Sequence, residues 1–361
     1  MLTNSPARRR WFGILAATLA MLGRDRVAIG APRPPSEIPP QVLAIPDTAE
    51  TWIGERSAFG TPSAITLFVL WNPTDPSCHE MMPTIEAWHE AYARYGVRVV
   101  GIAFAREPSL RDSVVAEVAA ARLGLKFASA LSFRPPPAAL LQERGPVVVL
   151  RDKGDQPAKW IGGTASARAL EGSLRASLRV HRPDLHFPED TGPSTPAEDS
   201  APRWRRVGLA PGEVAASPLA GAKLDQAQPF TAQFQFQEAS SNLVPVPLGW
   251  WIPRADRLEA ARPGPANLIA IRYDAGPVVV MMAPPVTGSS RVWVLQDEHW
   301  ILPPDAGEDV QFDPRGAAFV QVTEPRLYAI ARGGRHVLKL SPDDPGVRFY
   351  AFHVGPAPAK S

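Results

Sequence analysis

The sequence predicts an α/β sandwich followed by an all-β sandwich, and three observations carry that expectation. Strand-like and helix-like apolar patterns alternate from residue 64 to about residue 180. After residue 206 helix signals nearly vanish, and short β-rich runs alternate with Gly, Pro and Asp turns. The chain of 361 residues holds 41 prolines, which helix interiors and central strands tolerate poorly, so they must gather in loops, sheet edges and linkers.

The first part reads as follows. Residues 64–71 are a β-rich apolar run, and residues 78–95 show helical spacing through Met81, Met82, Ile85, Trp88 and Tyr92. Residues 97–104 read as a second buried strand, and 109–123 as a helix rich in alanine and valine. Residues 146–150 form a third apolar strand, followed by a turn at Asp152-Lys153-Gly154-Asp155. Trp160 and Ile161 lie on a short fourth strand, and residues 165–180 close the unit as a helix. That alternation fits one mixed sheet, giving a domain over 41–181. Residues 182–206 are polar and proline-rich and read as an interdomain linker. In the second domain, 207–361, strands are expected at 268–273, 278–282, 291–295, 317–322 and 348–353.

Composition narrows the function classes. Hydrophobic residues make up 45%, enough for buried cores. The net charge of +2, with no Lys/Arg stripe interleaved with aromatics, argues against nucleic-acid binding. At the N-terminus Arg8, Arg9 and Arg10 precede an apolar stretch over 11–22 that is well short of the roughly 20 residues a spanning helix needs. Arg9-Arg10-Trp11-Phe12 resembles the twin-arginine export pattern. The expectation is a signal peptide over 1–31, with its cleavage site at about Ala28-Ile29-Gly30, and a linker over 32–40. The product would be periplasmic or extracellular; an uncleaved anchor that tethers the chain to the membrane is the alternative.

Cys78 is the single cysteine. No internal disulfide, iron–sulfur cluster or Cys-rich zinc site can be built from it. The thiol is therefore buried and inert, free and reactive, or paired with another molecule.

The segment from Leu67 to Trp71, then Asn72-Pro73-Thr74-Asp75-Pro76-Ser77-Cys78-His79-Glu80-Met81-Met82-Pro83, resembles the active-site region of TlpA-like thioredoxins. There a buried strand ends in tryptophan, a Cys-x-x-Cys opens a helix, and a proline follows. Trp71, Cys78 and Pro83 match that order; Asp75 takes the place of the first cysteine, and Pro76 and Ser77 that of the usual Pro-Pro. The Gly145-Pro146-Val147 step matches the family's cis-proline loop, which faces the motif. Met81 stands where the family commonly has an acid. The later segments 322–330 and 345–355, with Leu248-Gly249-Trp250-Trp251 and Leu295-Gln296-Asp297, resemble the C-terminal domain of DipZ-type proteins. The resemblance implies an α/β thioredoxin-like sandwich followed by an all-β jelly-roll sandwich, without the membrane carrier of those proteins.

Dithiol chemistry needs the first cysteine, because a thiolate activated at a helix N-terminus makes the attack. Asp75 is no nucleophile toward disulfides but is a good N-cap. The expected function is thus an exported relative of thiol–disulfide oxidoreductases that does not exchange dithiols. A non-catalytic envelope scaffold stays open, with the Pro146 loop pairing an extended peptide and the β domain binding a glycan or protein. So does a one-cysteine peroxidase or a mixed disulfide through Cys78, although the charge of Asp75 opposes thiolate formation. No cofactor and no metal are expected. Cys78, Met81 and Met82 have a spacing that suits Cu(I), but the methionines read first as core. Asp297, Asp305 and Asp309 lack the spacing of a calcium loop. Trp250, Trp251, Trp293 and Trp300 read first as core and second as a sugar-stacking platform.

Overall fold

A strand covered on both faces must be apolar at every position, and Ile65–Trp71 meets that demand, all seven residues being buried. In the computed structural model it is β2, the centre of a six-stranded sheet. The structure describes residues 40–54, 63, 65–134, 145–152, 159–161, 167–184, 186–187, 204–211, 213, 219, 221–231, 243–274 and 276–356. The expected signal segment over 1–31 and most of the proline-rich linker lie outside the described residues, as does the turn after Asp152.

The other strands of this sheet are β1 (Trp52–Ile53), β3 (Val97–Ala103), β4 (Ser129–Leu131), β5 (Val147–Asp152) and β6 (Lys159–Ile161). The order is β1-β4-β3-β2-β5-β6. β4, β3 and β2 are parallel, while β1, β5 and β6 run antiparallel to their neighbours. Two short helices, α1 (Pro40–Leu43) and α2 (Ile45–Thr48), precede the sheet, and α3 (Pro76–Tyr92), α4 (Ser113–Leu123) and α5 (Ala167–His181) connect or close it. Side chains alternate across β2. Leu67, Val69 and Trp71 pack with Cys78, Met82, Ile85, Trp88 and Tyr92 of α3, and with Leu170, Leu174 and Leu178 of α5. Phe68 and Leu70 face the other way, toward Val100, Ile102, Val147 and Val42.

Local chemistry moves two helix boundaries. α3 starts at Pro76, not Cys78, because proline suits the first helical position and Asp75 caps it. The expected helix over 109–123 is instead a 3-10 turn at Pro108–Leu110 followed by α4. Asp112 caps α4 with its carboxylate on the Val115 amide at 3.4 Å.

The second sheet is antiparallel throughout. It comprises β7 (Arg205–Gly208), β8 (Gln228–Thr231), β9 (Val246–Pro253), β10 (Leu258–Ala260), β11 (Leu268–Tyr273), β12 (Val278–Ala283) and β13 (Ser290–Gln296). It continues with β14 (His299–Trp300), β15 (Val310–Phe312), β16 (Ala318–Val322), β17 (Arg326–Ala331), β18 (His336–Pro342) and β19 (Arg348–Val354). A sandwich of two layers was expected; the layers are one continuous sheet, nearly a barrel. The cause is β10, which bonds β9 on one side and β19 on the other. A bridge from Ala306 to Ala331 draws the far edges together. Trp251, Ile269, Tyr273, Val280, Phe349 and Phe352 fill its interior, and Trp251 sets its ring edge-on to Phe349 at 5.7 Å.

The two sheets belong to one unit, from Ile38 to Ser361, and meet along a seam. Ala105, Leu110 and Val115 pack against Met281, Ala283, Leu327 and Tyr350. Polar contacts surround this cluster: Arg206 Nη2 donates to the buried Glu107 carboxylate at 2.7 Å, and the Ser109 amide donates to Asp256 at 2.8 Å. Arg122 lies 3.6 Å from Asp309, and the Trp204 indole donates to Glu80 at 2.7 Å. Removing one partner of a buried ion pair strands the other charge. Glu107→Ala is therefore expected to lower stability by about 3 kcal/mol, read from chemical denaturation, whereas Glu213→Ala on the exposed side of Arg206 changes it by less than about 1 kcal/mol.

Candidate functional site

The turn between β2 and α3 is held by its own side chains. Asn72 Oδ1 accepts from the Thr74 amide at 3.0 Å and from the Thr74 hydroxyl at 2.8 Å. The same hydroxyl lies 3.0 Å from Glu107 Oε2. Asp75 follows in extended conformation, and its Oδ1 accepts from the Ser77 amide at 2.9 Å, satisfying a free donor of the first helical turn. Pro76 occupies the first helical position, and Trp71 ends β2 fully buried. Pro83 sits on the exposed side of α3, where it withholds the amide that would bond the His79 carbonyl.

Cys78 lies under this cap. It is 1% exposed, and its Sγ accepts from the Asn72 amide at 3.3 Å. Burial, and then the charge of Asp75, push the thiol well above its ordinary value; the Asn72 amide works the other way and does not prevail. The helix N-terminus that would activate a thiolate is spent on a carboxylate. His79 donates through Nε2 to the Pro73 carbonyl, 2.8 Å away. That acceptor fixes the proton on Nε2, and burial lowers the pKa of the ring.

At the Gly145-Pro146 step the Gly145 amide lies 3.4 Å from Asp75 Oδ2. The expected cis bond is not found: no peptide bond among the described residues is cis. Gly145 adopts φ 91°, a conformation glycine enters freely, so the turn is made at the glycine and its amide is aimed at Asp75. Cys78, Trp71, Asp75, Pro76, Ser77 and Pro146 thus gather at one end of the sheet, with Pro83 one helical turn further on.

The secondary candidates disperse. Met82 is wholly buried in the α/β core, with Met81 packed at its margin. Asp309 bonds Arg326 at 2.9 Å and the Ala329 amide at 2.8 Å, and Asp297 bonds His336 at 2.5 Å and the Val337 amide at 2.8 Å. Those carboxylates are committed to protein partners. The four tryptophans divide: Trp251 is core, Trp250 lies beneath Arg262 at 3.8 Å, and Trp293 and Trp300 are neighbours on the outside, 5.7 Å apart. Sequence reading missed Asn72, Thr74, Glu107 and Arg206, which brace the turn. The only signal for them was an acid, Glu107, four residues beyond the end of a buried strand, and it names no partner.

Strand order and connection define the class. A parallel pair, β2 and β3, is followed by an antiparallel β5–β6 hairpin on the other side of β2, with the motif helix leaving the C-terminal end of β2. This is a thioredoxin-like domain, and an all-β domain follows it. No family model matches the chain, and no curated protein matches it. Among solved structures, one similar chain is a proposed thiol:disulfide interchange protein DsbE from Chlorobium tepidum, at 17% identity and TM-score 0.28, covering 36% of this chain and 92% of that one. Another is a secreted Mycobacterium tuberculosis disulfide oxidoreductase homologous to E. coli DsbE, at 18% identity and TM-score 0.25, covering 31% and 81%. A family two carbohydrate esterase from Cellvibrio japonicus is similar at 13% identity and TM-score 0.23, covering 33% and 34%. Among the described residues no helix is long and apolar enough to cross a membrane.

The raised thiol pKa has a consequence for stability. The folded chain holds the Cys78 proton more tightly than the unfolded chain does. Its contribution is complete below the ordinary thiol value of 9.0 and is lost as pH rises above it, at about 1.4 kcal/mol per pH unit. Denaturation at a series of alkaline pH values should show this decline in the wild type, and Cys78→Ala should remove it.

Proposed function

We propose that this chain is an exported thioredoxin-like protein that does not exchange dithiols and serves as a non-catalytic scaffold, its β domain carrying the binding surface. The observation that carries the reading is the arrangement at Asp75 and Cys78. A carboxylate capped onto the Ser77 and Gly145 amides stands where an attacking thiolate would be needed, above a thiol that is buried and held protonated. The same arrangement speaks against a one-cysteine peroxidase, which requires an accessible thiolate. An extended peptide at the Pro146 loop would compete with Asp75 for the Gly145 amide, so the β domain is the better binding surface. Export rests on Arg8, Arg9, Arg10 and the apolar stretch after them.

Insulin reduction with dithiothreitol separates the readings. The wild type should give no turnover above the uncatalysed rate, and Asp75→Cys should acquire a disulfide to Cys78 and measurable turnover. Turnover by the wild type, or rapid sulfenic acid formation on Cys78 with peroxide, would refute the proposal.

A second reading, glycan binding, is favoured by one observation. Trp300 is 40% exposed beside Trp293, Phe319 lies 5.7 Å from Trp293, and Arg291 stands 4.7 Å over Phe319. Aromatic faces edged by hydrogen-bonding side chains suit sugar rings. In affinity electrophoresis through polysaccharide gels, retardation of the wild type should be lost in Trp300→Ala; equal mobility of the two on every gel removes the glycan.

A further inference from the structure

His353 lies on β19, paired in register with Arg206 of β7 on one side and Val279 of β12 on the other. It is 3% exposed, and its Nε2 is buried without a hydrogen-bond partner. Such an atom is costly to keep, and this one belongs to a side chain of the seam. The groups that act on it come from both domains: Arg206 from β7, His79 from the first turn of α3, and Arg106 from the loop after β3. Each is a cation or becomes one on protonation. The carboxylates of the same region are already engaged. Glu107 and Glu213 hold Arg206 at 2.7 and 2.9 Å, Glu80 accepts from Trp204, and Asp75 caps α3. A proton on His353 would therefore place a buried cation among cations with no anion set aside for it.

We propose that the seam is an acid-released latch, in which proton uptake by His353 frees the β domain from the first turn of α3 and the loop after β3 while both domains stay folded. Relief falls at the seam because that is where water reaches the imidazole at least cost. The apolar contact there is the small cluster around Tyr350, whereas each domain keeps a much larger core of its own. Burial, followed by the charges of Arg206, His79 and Arg106, holds the His353 pKa well below the ordinary value of 6.5. The closed form therefore excludes a proton that the open form accepts. Its advantage is complete above 6.5 and is lost as pH falls below that value. Burial lowers the His79 pKa as well, so the second histidine of the seam acts in the same direction.

The test is hydrogen exchange of the full chain at pH 8.0 and pH 5.0, corrected for intrinsic rates. A closed form that takes up no proton loses about 30-fold in its population ratio to the open form over that interval. Amides of residues 104–110 and 205–208 should accordingly exchange at least about 30-fold faster at the lower pH. Those of β2 and β11 should stay protected, and small-angle scattering should show the chain expanding. His353→Gln, which cannot take up that proton, should open far less than the wild type, keeping only the smaller contribution of His79. Unchanged seam exchange in the wild type, equal loosening of His353→Gln, or loss of core protection in step with the seam would each overturn the proposal. Should that variant fail to fold, the wild type still decides. Its imidazole resonances must include one histidine whose titration coincides with the rise in seam exchange, and a rise with no such titration overturns the latch.

Discussion

Glu107 is the carboxylate on which the arrangement of the chain depends. It is buried where β3 gives way to the loop before α4, and each of its oxygens has a separate duty. One accepts from Arg206 of the β domain, and the other meets Thr74 in the turn that carries the motif. A charge in that position is tolerable only while its partners stay, so the β domain and the motif turn are fixed through one side chain. The small apolar cluster around Tyr350 adds area to the seam, but the ion pair sets its registration, because charge-assisted bonds are directional and apolar contacts are not.

From that constraint the motif turn follows. Thr74 is held between Glu107 and Asn72, Asn72 in turn presents its amide to Cys78 Sγ, and Asp75 emerges in the extended conformation an N-cap needs. The result is a capped helix N-terminus over a buried thiol, and its electrostatics work against a thiolate. The N-terminus of α3 is neutralised by a carboxylate of its own chain, and the thiol below it gains nothing from the dipole. Burial then decides the state of Cys78, since a thiolate without solvent has little to stabilise it.

The α/β sandwich was legible because its signals are local and strong. Ile65–Trp71 is apolar without interruption, α3 announces itself through Asp75, Pro76 and its helical spacing, and the Cys78 neighbourhood follows from those two elements. The all-β character of the second part was legible from its turns and short runs. Its closure was not, since β10 is three residues long and only its pairing on both sides reveals that the layers join. β1 and β4 escaped for the same reason: two or three residues carry no period. The seam was not legible at all. Glu107, Arg206 and His353 are single polar residues separated by long stretches of sequence, and nothing local in a sequence records which distant charges will meet.

The Asp75 carboxylate serves two places at once, Ser77 in the helix and Gly145 in the facing loop. This makes the position hard to exchange. A chain with cysteine at this position would have a nucleophile there and would lack both the helix cap and the tether on the opposing loop. A second change elsewhere would be needed to restore them. One side chain thus couples the start of the helix to the loop that faces it, and exchanging it for cysteine would cost both contacts at once.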